Sequence, residues 1–144
     1  MIKNVTLGEE ITITTKNKVG ILADVSKMLA DKGINIEAAL GYEIGPVAKL
    51  LLITNANLVI VNELKKMKYK SVKETEVLLV DVENKPGALK VVSTEMKKNK
   101  IDIKYIYLTP CTCGARGSSR MILQTSNNEK AMAALSKFIH EFYA

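Results

Sequence analysis

Two short segments of this chain pair an asparagine with a glycine three residues on: Asn17-Lys18-Val19-Gly20 and Asn84-Lys85-Pro86-Gly87. Each opens a stretch with helical spacing of apolar residues, beginning Ile21-Leu22 in one case and Ala88-Leu89 in the other. The first turn of a helix carries unpaired N–H groups and partial positive charge, so such a turn can seat an anion or a carboxylate. Glycine keeps side-chain bulk away from that mouth. The same residues also suit a plain strand-to-helix turn. Asparagine can bond nearby backbone and tolerate unusual dihedrals, Pro86 presets its own φ, and Gly20 and Gly87 let the chain enter the helix without steric conflict.

Other chemistry-bearing residues are sparse. Cys111 and Cys113 lie in a glycine- and serine-rich stretch with Arg116 and Arg120 nearby. A closed zinc site needs four ligands, and the chain has two cysteines and one histidine, His140, so no metal site is expected. The two arginines would lower a thiol pKa if close. The plainer reading is a loop with incidental thiols. Tyr105 and Tyr107 are two apart, hence on one face of a strand. Aromatics so placed can stack on RNA bases, but Met121-Ile122-Leu123 supplies no matching aromatic on the next strand, so interface packing is the expected use. No Ser-His-Asp set, paired catalytic carboxylates or glycine-rich phosphate loop can be assembled, so neither an enzyme nor a cofactor is expected.

The elements that must position these residues are aliphatic. Of 144 residues 47% are apolar, only 5% are aromatic, and there is no tryptophan. The net charge is +6, shared evenly, with 11 basic and 8 acidic residues in 1–74 and 10 basic and 7 acidic in 75–144. A nucleic-acid binder more often concentrates its charge on one element, so a solvated lysine-rich surface is the expected state. No apolar run approaches the ~20 residues that span a bilayer, and Met1-Ile2-Lys3-Asn4 does not look like a signal peptide. A cytoplasmic protein follows as the expectation, and with it reduced thiols.

The chain repeats itself. Shifted by 67 residues, Asn17, Lys18, Gly20, Leu22, Val25, Ser26, Ile34 and Ile36 fall on identical residues, eight in all without a gap. In the first copy, Glu10–Thr15 alternates as a strand. Ile21, Leu22, Val25, Met28 and Leu29 line a helix that Gly33 ends. Strands follow over Ile34–Ile44 and Val47–Thr54, the latter central. A helix marked by Leu58, Val61, Leu64 and Met67 leads to a strand over Tyr69–Lys73. The second copy has strands at Val77–Val82, Ile101–Leu108 and Arg120–Thr125. Its helices are marked by Leu89, Val92 and Met96, and by Met132, Leu135 and Ile139. Residues 1–74 and 75–144 thus read as two domains, the second with its final strand short or missing. Ile2–Thr6 is a spare strand able to fill that gap. The order βαββαβ predicts an α+β fold of two tandem ferredoxin-like units, antiparallel sheets with both helices on one face. Met28, Met67, Met96 and Met132 fall on apolar helix faces and read as core.

The two turns, with Gly33-Ile34-Asn35-Ile36 and Ile101-Asp102-Ile103 behind them, resemble the signature of ACT domains, and the resemblance covers nearly the whole chain as tandem copies. It implies a non-catalytic regulatory protein binding a small ligand, commonly an amino acid, at an interface between paired units, hence a homodimer or higher oligomer. By position it assigns ligand contact to Asn17, Val19, Gly20, Ile21, Leu22 and Asn35. In the second copy it assigns Asn84, Pro86, Gly87, Ala88, Leu89 and Asp102. The copies depart from the pattern differently. Val19 stands where proline is usual, while Lys100 and Asp102 replace Gly33 and Asn35. Unequal binding is expected, with the Asn35-containing copy favoured for a carboxylate. The other reading is a structural oligomerisation module without a ligand.

Overall fold

The computed structural model describes residues 1–110 and 117–139. Cys111, Cys113, Arg116 and His140 lie outside the described residues. Ten elements follow one another: β1 (Ile2–Lys16), α1 (Ile21–Asp31), β2 (Ile36–Ile44), β3 (Val47–Thr54), α2 (Asn57–Lys66), β4 (Ser71–Glu83), α3 (Ala88–Lys98), β5 (Ile103–Pro110), β6 (Ser118–Thr125) and α4 (Asn128–Ser136). The chain divides into two compact units, Glu9–Thr75, and Met1–Gly8 with Glu76–Ala144.

In the unit of Glu9–Thr75 the hydrogen-bonded order is β2-β3-β1-β4. β3 is central, as its nearly unbroken apolar run predicts, and pairs antiparallel with β1 and β2. Leu50 faces Ile13 on one side and Gly41 on the other. Alternate residues Ile11, Ile13, Leu50 and Leu52 therefore share one sheet face. They are buried together with Ile21, Val25 and Leu29 of α1 and with Ile60 and Leu64 of α2. The spacing of three and four residues is what brings each helical set onto one stripe.

In the other unit the order is β1-β4-β6-β5. Met1–Gly8 supplies the strand that the second copy lacks in sequence. Glu83 N–H donates to the Met1 carbonyl at 2.9 Å. Ile2 and Val5 are buried with Leu78, Val80, Val92, Met96, Leu123 and Leu135.

Two sequence expectations give way to longer strands. Ile2–Thr6 and Glu10–Thr15 form one strand, β1, and Tyr69–Lys73 and Val77–Val82 merge into β4. Gly8 does not break β1, because it serves a close approach. A Cβ there would lie 2.7 Å from Leu79 Cδ1. Strands expected to begin at Ile34 and Ile101 begin at Ile36 and Ile103, each with a register shift just after its start.

The helix faces also need correction. Leu58 is 80% exposed, and the buried stripe of α2 is Ile60 and Leu64. Leu58 lies two residues, about 200° of helical rotation, from Ile60, so one face cannot hold both. In α3 Ala88 is buried and Leu89 is exposed at the turn. Ile139 lies past the end of α4 yet packs against its core. Met96 is buried, and Met28, Met67 and Met132 pack half-buried against the cores. Tyr105 and Tyr107 stack at 6.5 Å between centroids, and Tyr107 is only 9% exposed, so the pair is no open platform for bases.

One local device occurs in both units with no strong sequence signature. Asn57 Oδ1 accepts from the N–H and hydroxyl of Thr54 at 3.2 and 2.7 Å, and Asn57 Nδ2 donates to the Glu9 carbonyl at 2.8 Å. Asn128 repeats this with Thr125, at 3.1 and 2.7 Å, and with the Glu76 carbonyl at 3.0 Å. Each clasp fastens the turn after a central strand to the strand that opens its own copy.

Candidate functional site: the cleft at the amino end of α1

Both glycines of the repeated turn adopt the left-handed conformation that favours glycine, with φ of 100° at Gly20 and 94° at Gly87. Neither helix has a side-chain cap. Asn17 does not bond its own backbone. Its Nδ2 donates to Glu43 Oε2, and its backbone N–H donates to the Pro46 carbonyl at 2.8 Å. The turn is thereby tied to the end of β2 and to the β2–β3 turn. Asp24 N–H closes the first helical bond on the Gly20 carbonyl at 2.9 Å. The N–H groups of Ile21 and Leu22 precede it and have no intrahelical acceptor.

These groups edge a cleft of about 370 Å³. Its turn side is Asn17, Lys18, Gly20, Ile21 and Leu22. Its sheet side is Ile13, Thr15, Gly41, Tyr42, Glu43, Ala48, Lys49 and Leu50. The volume lies within the usual range for a small-molecule site, roughly 300–1,000 Å³. The floor is apolar, from Ile13, Ile21 and Leu50. The rim offers a carboxylate at Glu43, cations at Lys18 and Lys49, and the positive end of a helix. Opposite charges within one small cleft can hold a zwitterion. Val19, Leu22, Tyr42 and Ile44 are exposed large apolar residues, Val19 at the turn and Ile44 beside Glu43.

Of the residues expected from sequence, Asn17, Gly20, Ile21 and Leu22 come together here, while Val19 stands out from the turn, fully exposed. Asn35 does not join them. It is exposed just before β2, beyond the opposite end of α1. A helix of 11 residues puts it roughly 16 Å from Gly20 along the axis. In the other unit Asn84, Pro86, Gly87 and Leu89 are exposed and Ala88 is buried. Asp102 lies past the far end of α3, where its N–H donates to Ser126 Oγ at 3.0 Å and its carbonyl accepts from Ser126 N–H at 2.9 Å. It too is apart from its glycine turn.

The sheet side of the cleft escaped sequence reasoning. Gly41, Tyr42, Glu43, Lys49 and Thr15 carry no local motif. Strand register alone brings them to the turn, with Tyr42 opposite Lys49 and Glu43 opposite Ala48.

Residues 10–67 match the family model of the ACT domain. A search of curated proteins finds no match. Among solved structures, protein BT0572 from Bacteroides thetaiotaomicron superposes with a TM-score of 0.81 at 24% identity, covering 92% of this chain and 89% of that one. The ligand-free regulatory subunit of aspartate kinase from Thermus thermophilus does so at 0.66 and 14% identity, covering 95% and 98%. The regulatory subunit of aspartate kinase from Thermus flavus does so at 0.58 and 15%, covering 99% of each chain. At these identities the structures share a fold with this chain. The family match agrees with the glycine turn and the βαββαβ order, and residues 10–67 are thus similar to the ACT domain in both sequence and fold.

Proposed function

We propose that this chain is a non-catalytic regulatory protein whose cleft beside Gly20 binds a free amino acid. The observation that carries the reading is the cleft itself, which puts Glu43 and the open N–H groups of α1 around one apolar floor. The ligand carboxylate takes the N–H groups of Ile21 and Leu22, its ammonium takes Glu43, and its side chain lies on Ile13 and Leu50. The exposed apolar residues of the turn and the end of β2 then pack against a second copy of the chain. Asn35, too far to reach its own cleft, is available to that copy. Ligand binding favours one assembly over another, and a partner protein reads the difference.

The test is a thermal-shift and calorimetric screen against the common amino acids and small carboxylates. A shift with at least one amino acid, lost in Gly20→Ala and weakened in Asn17→Ala, supports the reading. No shift at millimolar concentration overturns it and leaves a structural oligomerisation module. The exposed Val19, Leu22 and Ile44 already suit that second reading.

A further inference from the structure

The chain contains its own control, because the strand positions of the cleft have counterparts at the same register in the other unit. Gly41 lies opposite the core residue Leu50, and Leu108 lies opposite the core residue Met121. Glu43 lies opposite Ala48, and Pro110 lies opposite Ser119. Thr15 pairs with Ala48 where Val82 pairs with Ser119. Lys49 lies beside Thr14, whereas its counterpart Arg120 lies beside Asp81.

Each exchange removes something the cleft beside Gly20 offers. Leu108 puts a branched side chain where Gly41 leaves space. Pro110 has no carboxylate. Val82 has no hydroxyl. Arg120 is committed to Asp81 through a two-pronged ion pair, with Nε–Oδ1 at 2.7 Å and Nη2–Oδ2 at 3.0 Å. The turn is also more closed. Ala88 N–H, the counterpart of Ile21 N–H, donates to the Lys85 carbonyl at 3.3 Å. Glu83 and Lys85 pair at 2.5 Å beside it.

We infer that Gly41 and Glu43 are the specificity-determining residues of this protein and that they confine it to one amino-acid ligand per chain, although the glycine turn occurs twice. Gly41 sets the room for the ligand, and Glu43 demands its ammonium. This rests on the reading that the cleft takes an amino acid. The repeated turn of the other unit is kept for its fold.

Gly41 permits a clean test. Its backbone is not left-handed, and an added Cβ would sit at an ordinary 3.5 Å from Leu50 Cδ1. Gly41→Leu therefore fills the cleft without straining the strand. Each common L-amino acid is titrated singly into the full chain by calorimetry, with melting curves run on every variant. For the amino acid that binds, the expected stoichiometry is one per chain. Gly41→Leu is expected to weaken it at least ~10-fold. Glu43→Gln is expected to weaken it by roughly 10- to 100-fold, the range for losing one charge-assisted hydrogen bond. The des-amino carboxylate of the same ligand should bind Glu43→Gln as it binds the parent, and Leu108→Ala should bind like the parent. Two ligands per chain, or parental affinity in both Gly41→Leu and Glu43→Gln, would overturn the inference and leave amino-acid binding standing. No binding by any amino acid removes the underlying reading and this inference with it.

Discussion

Lys100 occupies the place of Gly33 in the repeat and takes the same left-handed backbone, with φ of 56° against 68°. The bonds that end the two helices also match. Gly33 N–H donates to the Ala30 carbonyl at 3.0 Å and Ile34 N–H to Leu29 at 2.9 Å, while Lys100 N–H donates to Lys97 at 3.1 Å and Ile101 N–H to Met96 at 2.9 Å. A side chain in this conformation costs about 1 kcal/mol relative to glycine. Lys100→Gly should therefore raise stability by about that amount, measured by urea denaturation; an unchanged or lower midpoint would show that the strain is already compensated. Gly33 was legible as a helix terminator because glycine advertises the conformation, whereas Lys100 does not. The glycine turns were legible for the same reason. Glu43 and Gly41 were not, since their role depends on which residue lies across the sheet, and register is set by the whole strand.

Among the elements, the first turn of α2 shows how a local bond can override an apolar pattern. Asn57 is held by Thr54 and by the Glu9 carbonyl, which fixes the helix rotation so that Ile60 and Leu64 enter the core and Leu58 faces out. Asn57→Ala would leave the buried Thr54 hydroxyl short of an acceptor and should cost roughly 2 kcal/mol. Asn128→Ala should cost about as much through the identical clasp. Losses under ~0.5 kcal/mol in both would mean that the surrounding packing alone holds the turn. α2 is also joined to the end of α1 by charge, because Glu63 lies 3.3 Å from Lys66 and 3.6 Å from Lys32. The Lys66 hydrogen bond, with Lys32 assisting, holds the Glu63 carboxyl below its ordinary range. A lowered folded-state value stabilises the fold above the unfolded carboxyl pKa, near ~4.3, and that contribution disappears as pH falls through the folded value. The melting difference between the parent and Glu63→Gln should thus be present at neutral pH, shrink with salt and vanish in acid. A difference that persists at about pH 2 would assign it to packing instead.

At the scale of the molecule, the identities at a shift of 67 residues made the duplication plain, as did the order of strands and helices. No helix among the described residues is long and apolar enough to cross a membrane. The continuity of β1 and β4 was not legible, because Gly8 and the polar stretch Lys73-Glu74-Thr75-Glu76 look like breaks. They are extended because neighbouring strands supply their hydrogen bonds, a non-local cause. That continuity puts the two repeats out of step with the order of the polypeptide. Cutting the chain at its midpoint would not yield two equal products. The segment 9–75 carries all four strands of its unit and should melt cooperatively alone. The segment 76–144 lacks Ile2 and Val5, leaves β4 with an open side, and should stay unfolded until a peptide of residues 1–8 is supplied or grafted after its last residue. Cooperative melting of 76–144 alone would disprove the dependence. Synthesis makes Met1–Gly8 before the strands it joins, so that piece must wait while Glu9–Thr75 is made, and its unit closes only when β4 reaches it.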